Sequence, residues 1–343
     1  MINRRLFLAA AAFATSSCWR RDARVVLYCA QDREFASDIL SDFTQETEIA
    51  TVAKYDTEAQ KSVSLATELT QEIDHPRCDV HWNNEPLATI ALARKGVYDS
   101  YYSPNATSFP PWSQAKDHTW QAFAARARVL IINTKLLPLE ADRPRSVLDL
   151  SDPKWKGRAA IAKPLFGTTA THAACLVEVL GLEDATRLFQ ALVDNRIGVV
   201  AGNKQVATEV SSGRFAVGFT DTDDALIELQ AGKPVAIVYP DREGHPFHPK
   251  LGTLYLPNTL AVIKNGPNPL AARRLIDFLL RPTVEARLAE GGGFQIPLNP
   301  LVQAKLPQGL LTPTQVKPME IDFARAADCW EETQTLLRRL FSS

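Results

Sequence analysis

The sequence lacks the features that mark several large classes of protein. Its 343 residues include only 16 Gly and 22 Pro, with 45% apolar and 22% charged residues, which excludes a disordered, collagen-like or coiled-coil chain. Its one candidate membrane span, the apolar run Leu6–Ala14, is too short to cross a bilayer. The formal net charge is −1, so no nucleic-acid partner is indicated. A globular protein of about two domains is expected.

Cysteine is also scarce, and several catalytic or repeat motifs are missing. The four cysteines beyond the amino terminus are Cys29, Cys78, Cys175 and Cys329, and none pairs at the Cys-x-x-Cys spacing of a zinc site. Cys29 and Cys78 both fall in predicted strands, so they form either a disulfide or two buried thiols. The chain has no Gly-x-Ser-x-Gly motif of a serine hydrolase and no repeat of 20 to 50 residues.

Residues 1–24 have the pattern of an export signal. A basic start with Arg4 and Arg5 precedes the apolar run Leu6–Ala14, and small residues then lead to Cys18. The double arginine resembles a twin-arginine signal, and the residues before Cys18 resemble a lipoprotein box. An amphipathic first helix is disfavoured because the apolar run has no polar face. The pattern predicts a periplasmic protein, anchored through a lipid on Cys18, whose mature body is mildly acidic.

Apolar runs of strand length alternate with helical patterns along the rest of the chain, which predicts an α/β protein with parallel sheets. The first set comprises strands at 24–30, 49–55 and 78–82 and helices at 34–47, 58–72 and 86–95. The second set comprises strands at 128–133, 158–162, 197–200, 215–220, 235–239 and 254–263 and helices at 170–180, 182–193, 204–211 and 269–280. Loops at the carboxyl ends of such strands are the expected ligand sites.

Three blocks carry a resemblance to a known family. They are Val147–Arg158 (VLDLSDPKWKGR), Asn258–Pro269 (NTLAVIKNGPNP) and Phe294–Pro300 (FQIPLNP). In this order they resemble periplasmic substrate-binding proteins of ABC importers, in the branch of the bacterial ferric-ion-binding proteins. The resemblance implies a two-lobed type II fold, in which each lobe is a mainly parallel sheet covered by helices and the ligand lies in a cleft between lobes.

The same resemblance implies a division of the chain and a set of partners. Lobe 1 would comprise residues 25–125 plus 251–302, and lobe 2 would comprise 126–250 plus 303–343. The protein would be a monomer that captures a small ligand and delivers it to a membrane permease, and indirectly to the ATPase of the importer. Neither catalysis nor a catalytic cofactor is expected.

Position by position, the family's ligand residues fall on ten positions of this chain. These implied ligand-binding residues are Asp32, Glu85, Arg126, Gly167, Thr168, Thr169, Asn203, Asp221, Asp223 and Asp224. The paired tyrosines that supply phenolate ligands to ferric iron in the family are replaced by Asp223 and Asp224. A metal set of Asp32, Glu85, Asp223 and Asp224 would suit a hard cation, either ferric iron or another such ion.

Other interpretations of the same residues stay open at this point. Gly167–Thr169 with Arg126 could hold an anionic organic ligand, such as a sugar phosphate or phosphonate. Asp221–Asp224 could simply cap and charge a helix N-terminus, as could Glu85 before the helix that starts at Pro86. A more distant alternative is a Mg²⁺-dependent phosphatase of the haloacid-dehalogenase type, because Asp221-Thr222-Asp223 follows an apolar strand. In that class the motif normally opens its domain, whereas here it follows three earlier elements.

Overall fold

The structure is a computed structural model that describes residues 23–56 and 64–341. The predicted export signal at 1–24 lies outside the described residues apart from Ala23 and Arg24. The predicted lipidation site at Cys18 and the first residues of the helix predicted at 58–72 also lie outside them. Both the signal and the lipid anchor therefore stay predictions.

The first part of the described chain alternates strands and helices, as its apolar pattern predicts. Its elements are β1 (Arg24–Cys29), α1 (Arg33–Thr47), β2 (Ala50–Tyr55), α2 (Ser64–Gln71), β3 (Val80–Asn83), α3 (Pro86–Arg94) and β4 (Tyr98–Asp99). In α1 the buried side chains are Ala36, Ile39, Leu40 and Phe43, whose three- and four-residue spacing puts them on one helix face. That face packs on the first sheet.

A second alternating set follows and ends in a return to the first sheet. Its elements are β5 (Gln121–Asn133), β6 (Ala159–Ala162), α4 (Gly167–Leu180), α5 (Leu182–Asp194), β7 (Gly198–Val200), α6 (Asn203–Ser211), β8 (Val217–Asp221), α7 (Thr222–Gln230), β9 (Val235–Val238), β10 (Tyr255–Ile263), α8 (Pro269–Leu279), α9 (Pro282–Glu290), α10 (Phe323–Asp328) and α11 (Trp330–Phe341). The sequence patterns did not predict α9, α10, α11 or the first half of β5.

The sheet runs in the order β2-β1-β3-β10-β5-β8-β6-β7, with β4 on β10 and β9 on β5. Within each lobe three strands are parallel: β2, β1 and β3 in the first, and β8, β6 and β7 in the second. The crossing strands β10 and β5 pair antiparallel with these sets and with each other. The predicted two-lobed α/β architecture is confirmed, and in each lobe three parallel strands are joined by antiparallel ones.

Strand β5 passes from one lobe to the other. It pairs with β10 over Gln121–Ala127 and with β8 from Arg128 onward. The predicted lobe boundary, between residues 125 and 126, is two residues from this change of partner, and the division of the whole chain stays a prediction. At the carboxyl end of the chain, α10 packs between α3 and α4, and α11 packs on α4 and α5.

The structure answers one question that the sequence left open, the state of Cys29 and Cys78. Cys29 and Cys78 are buried free thiols: Cys29 Sγ donates to the carbonyl of Gln31 at 3.6 Å, and Cys78 Sγ to that of Val80 at 3.0 Å. Burial raises the pKa of both thiols. Among the described residues, no helix combines the length and apolar character that a membrane span requires.

Candidate ligand-binding cleft

A cavity of about 540 Å³ opens between the two lobes. Its first wall comes from the loops that follow β1 and β3, and its second from the N-terminal ends of α4, α6 and α7. Of the ten residues that the sequence predicted as ligand-binding, nine line this cavity: Asp32, Arg126, Gly167, Thr168, Thr169, Asn203, Asp221, Asp223 and Asp224. They converge because the carboxyl ends of parallel strands meet at one edge of a sheet.

Glu85 does not line the cavity, which corrects the prediction that it is a metal ligand. It is 3% exposed and stands at the N-cap of α3. Its carboxylate accepts hydrogen bonds from the backbone N–H groups of Leu87 (2.8 Å) and Ala88 (2.9 Å) and from Thr171 Oγ1 of the other lobe (2.8 Å). Burial raises the pKa of Glu85, although these hydrogen bonds act in the opposite direction. The capping interpretation therefore describes this residue.

The first lobe contributes Asn84 beside the predicted Asp32. Asn84 lines the cavity, and its Nδ2 donates to the carbonyl of Ala30 at 3.2 Å. This places the end of β3 against the end of β1. The loop Asn83–Glu85 is an expected ligand loop in the sequence, but the acidic Glu85 was the ligand predicted from it, whereas Asn84 is the residue that lines the cavity.

Arg126 lies at the base of the cavity, where β5 crosses between the lobes. It is 5% exposed, and one of its terminal nitrogens donates to the carbonyl of Asn84. Its Nε is buried and has no hydrogen-bond partner among the described residues. A buried guanidinium with unused donors favours an oxygen-bearing ligand beside it.

The second lobe presents three helix N-termini to the cavity. The N-cap residues of α4, α6 and α7 are Phe166, Gly202 and Asp221, and none of them makes a side-chain capping hydrogen bond. The first residue of α4, Gly167, has φ of +62°, a left-handed conformation that favours glycine. The exposed backbone N–H groups and the helix dipoles make this wall attractive to oxygen atoms that carry negative charge.

Behind this wall lies Arg128, which the sequence analysis missed. It is completely buried in β5, directly across from Asp221 in β8. Its guanidinium donates to Asp221 Oδ1 at 2.6 Å and to Asn203 Oδ1 at 3.1 Å. The alternation of side chains along a strand was the available signal, because Arg126 and Arg128 are two residues apart and so lie on the same face.

Asp221 is held by this arrangement rather than by the helix it precedes. Its Oδ2 accepts hydrogen bonds from Thr168 Oγ1 (2.7 Å) and Asn203 Nδ2 (3.0 Å), while Arg128 occupies Oδ1. Burial raises the pKa of Asp221, but the charges of Arg128 and Arg126 and these hydrogen bonds outweigh it. The pKa therefore lies below its ordinary value.

Asp223 and Asp224 lie in the first turn of α7 and are half-buried. Together with Asp221, each offers a carboxylate oxygen such that all three oxygens lie within 4.8 Å of one another. Asp223 Oδ1 also accepts a hydrogen bond from the backbone N–H of Asp224 at 3.1 Å. A cluster of carboxylates at this spacing has the chemistry of a hard-cation site.

The charges around the cavity are close to balanced. Its wall contains five acidic residues, Asp32, Glu34, Asp221, Asp223 and Asp224, and four basic ones, Arg33, Arg126, Lys163 and Lys204. Lys163 follows β6 and Lys204 lies in the first turn of α6, positions that the sequence analysis did not single out. The cavity therefore suits a cation accompanied by an anion, or a ligand that carries charges of both signs.

Comparison with known proteins agrees with this architecture. Residues 25–295 match the family described as bacterial extracellular solute-binding protein. Iron uptake protein A1 of Synechocystis is 27% identical over 281 residues, 77% of this chain and 73% of that protein. The major ferric iron-binding protein of Neisseria meningitidis is 27% identical over 82% of both chains.

Two solved structures share the fold. Iron-bound HitA from Pseudomonas aeruginosa has a TM-score of 0.81 at 22% identity, over 93% of this chain and 99% of HitA. AfuA from Actinobacillus pleuropneumoniae, a periplasmic binding protein with fructose-6-phosphate bound, has a TM-score of 0.79 at 22% identity, with the same coverage. Since the family match spans most of the chain and the fold is that of two-lobed periplasmic binding proteins, the chain belongs to the bacterial extracellular solute-binding proteins.

Proposed function

We propose that this protein is the periplasmic solute-binding component of an ABC importer, and that it captures ferric iron or another hard cation in the cleft. Asp223 and Asp224 would bind the cation from the second lobe and Asp32 from the first. The filled protein would deliver the cation to a membrane permease, and the importer's ATPase would act on it only indirectly. The protein would work as a monomer, anchored by a lipid on Cys18, and would catalyse no reaction.

The observation that carries this proposal is the group of carboxylate oxygens in the cavity wall. Those of Asp221, Asp223 and Asp224 lie within 4.8 Å of one another, and Asp32 lines the same cavity from the other lobe. Among the described residues that line the cavity none is a tyrosine, so phenolate ligands are replaced by carboxylates. Carboxylates are also hard oxygen donors, and two relatives are named for iron uptake or ferric-iron binding.

The basic side of the cavity supports an anion bound together with the cation. The uncapped N-termini of α4 and α6 lie beside Arg126, Lys163 and Lys204, all of which line the cavity. A cation alone would leave these groups without a partner of opposite charge. Ferric citrate offers both a trivalent cation and carboxylate oxygens, so it is the first complex to test.

A second candidate ligand is an anionic organic molecule such as a sugar phosphate or a phosphonate, without metal. The unused Nε donor of Arg126, beside the N-terminus of α4, favours it specifically. AfuA, which has the same fold, has a structure with fructose-6-phosphate bound. In this case Asp223 and Asp224 would accept hydrogen bonds from hydroxyl or amino groups of the ligand.

Thermal melting separates the two candidates. The purified protein is melted with ferric citrate, Mn²⁺, Ca²⁺, citrate alone and fructose-6-phosphate. A ligand that binds only the folded state stabilises it by about 2.7 kcal/mol at one hundred times its Kd, which a melt resolves readily. We expect ferric citrate to raise the melting temperature, and the double variant Asp223→Asn/Asp224→Asn to lose that increase.

The matched control is Glu331→Gln/Glu332→Gln, an exposed acidic pair in the first turn of α11. It should keep the full response to ferric citrate. If fructose-6-phosphate raises the melting temperature and no metal does, the proposed ligand is the anionic organic molecule and not a cation. If none of the five additions moves the wild-type melt, neither ligand proposal survives.

A further inference from the structure

Arg128 connects four elements of the second lobe through a single buried side chain. It lies in β5, opposite Asp221 in β8, and is completely buried. Besides Asp221, its guanidinium reaches Thr168 Oγ1 and Thr169 Oγ1, both at 3.3 Å, and Asn203 Oδ1 at 3.1 Å. The two threonines belong to the first turn of α4, and Asn203 is the first residue of α6. One planar group thus holds both helix N-termini.

The packing around Arg128 leaves it little freedom to move. Its guanidinium carbon lies 4.3 Å from the centre of the Phe219 ring, and Phe219 in turn contacts the His172 ring at 4.8 Å between ring centres. A guanidinium stacked on an aromatic ring and hydrogen-bonded at its edge has a fixed plane. The positions of Thr168, Thr169 and Asn203 relative to one another therefore depend on this plane.

Hydrogen bonds within this group of residues occupy both carboxylate oxygens of Asp221. Oδ1 accepts from Arg128 at 2.6 Å, and Oδ2 accepts from Thr168 Oγ1 at 2.7 Å and from Asn203 Nδ2 at 3.0 Å. A carboxylate has about four acceptor positions, and donors of the protein use three of them in Asp221. Asp221 is therefore held by the second lobe, although it lines the cavity and lies close enough to Asp223 and Asp224 to share an ion.

We propose that Arg128 is a positioning residue that sets the cation specificity of the cleft by withholding Asp221 from the ligand. With Arg128 in place, Asp221 stays bound within the second lobe, and the N-termini of α4 and α6 stay aligned for an accompanying anion. This inference rests on the proposed function for the identity of the ligand. Its central step, the withholding of Asp221, is measurable without that identity.

The first experiment measures Mn²⁺ affinity by calorimetry in wild type, Arg128→Met and Arg128→Met/Asp221→Asn. Methionine fills much of the arginine volume but donates no hydrogen bond. We expect Arg128→Met to bind Mn²⁺ about tenfold or more tightly than wild type, because a third carboxylate joins Asp223 and Asp224. The double variant should lose this gain, which would assign it to Asp221. If the ion pair between Arg128 and Asp221 only stabilises the fold, Arg128→Met will have a lower melting temperature and no higher affinity for Mn²⁺. That result would overturn the proposal.

The second experiment uses Arg128→Lys, which remains informative if Arg128→Met does not fold. Lysine keeps the positive charge beside Asp221 but cannot hold four acceptors in one plane. We expect affinity for ferric citrate to fall about tenfold or more, because the N-termini of α4 and α6 lose their common support. An Arg128→Lys protein that binds ferric citrate as tightly as wild type would overturn the positioning role.

The two experiments distinguish a failure of this inference from a failure of the proposed function. If wild type binds neither Mn²⁺ nor ferric citrate while Arg128→Met gains Mn²⁺ binding, the ligand proposal fails and the inference stands. If wild type binds ferric citrate while Arg128→Met gains no Mn²⁺ affinity, the inference fails and the function stands.

Discussion

The buried carboxylates of this protein have two kinds of environment. Some line the cleft, and others accept hydrogen bonds from backbone amides. Glu285 is completely buried and accepts hydrogen bonds from the backbone N–H groups of Ala124 (2.5 Å), Leu298 (3.0 Å) and Asn299 (2.9 Å). Ala124 has φ of +39°, an unfavourable conformation for an alanine, within the crossing strand β5. Glu285, like Glu85, thus accepts hydrogen bonds from backbone amides and does not line the cavity.

Asp241 is the residue for which the structure predicts a clear pH dependence. It is 6% exposed and accepts a hydrogen bond from Ser146 Oγ at 3.1 Å. Burial, assisted by the negative charge of Asp149, raises its pKa from 3.8 to about 6. A raised pKa means that the folded state binds this proton more tightly than the unfolded state. The cost of ionising Asp241 is therefore absent only well below pH 3.8, grows as the pH rises from 3.8 to about 6, and is nearly complete above pH 6.

Replacing Asp241 by Asn removes this cost, and Asn tolerates the left-handed backbone at this position, where φ is +54°. We expect the free energy of unfolding of Asp241→Asn to rise relative to wild type by about 2 kcal/mol between pH 4 and pH 7. Urea denaturation at several pH values measures this difference. The exposed Asp74→Asn is the control and should show no such trend; a difference for Asp241→Asn that is flat with pH would contradict the assignment.

At the scale of elements, the position of α6 depends on how closely it approaches β8. Gly218 in β8 has no side chain, and a Cβ atom there would lie 2.5 Å from Val206 Cγ1 and 2.8 Å from Val210 Cγ2 of α6. Such distances are shorter than any van der Waals contact, so the helix can lie where it does only above a glycine. Because α6 begins at Asn203, this packing also sets one wall of the cleft.

Gly218→Ala should therefore destabilise the protein by about 1–3 kcal/mol through overpacking. It should also weaken ferric citrate binding, because α6 moves away from β8 and carries Asn203 with it. Urea denaturation and calorimetry measure the two effects. Val206→Ala creates space at the same contact, so Gly218→Ala/Val206→Ala should be more stable than the sum of the two single changes predicts. Strict additivity would show that the contact with Val206 does not limit the helix position.

At the scale of the whole molecule, two lobes meet through crossing strands and through a buried contact behind the cavity. β5 runs through both lobes, and its pairing with β10 has an irregular register between Pro257 and Asn258, beside Ala124. Thr171 of the second lobe donates to Glu85 of the first, with both residues buried. The cavity is complete only when both lobes contribute, since Asp32 and Asp223 come from opposite sides.

A ligand that contacts both lobes should favour the closed arrangement, because only that arrangement lets Asp32 and Asp223 share one ion. We expect small-angle X-ray scattering to show a smaller radius of gyration with saturating ferric citrate than without it. Asp223→Asn/Asp224→Asn should show no such decrease at the same concentration. A radius of gyration that stays constant in wild type, under conditions where binding is saturated, would argue for a rigid cleft.

Local information was enough to predict most of the elements, whereas the family resemblance implied nine of the residues that line the cavity. Apolar runs and helix signals depend on neighbours within a few residues, and they located β1 to β3, α1 to α3 and the strand–helix pairs of the second lobe. The resemblance in three blocks then implied the two-lobed arrangement. Eight of these nine lie at or just after strand ends, where an α/β fold gathers its ligand sites, whereas Arg126 lies within the crossing strand β5.

The sequence by itself determined the alternation of elements and which loops meet, since both follow from periodicity and chain order. Only the tertiary structure decided which polar groups face the ligand. Glu85 accepts hydrogen bonds from the backbone amides of α3 and from Thr171, which is 86 residues away in the chain. Arg128 donates to Asp221, which is 93 residues away. The partner of a buried polar side chain depends on distances across the fold, and a charged group out of water must be satisfied by whatever lies there.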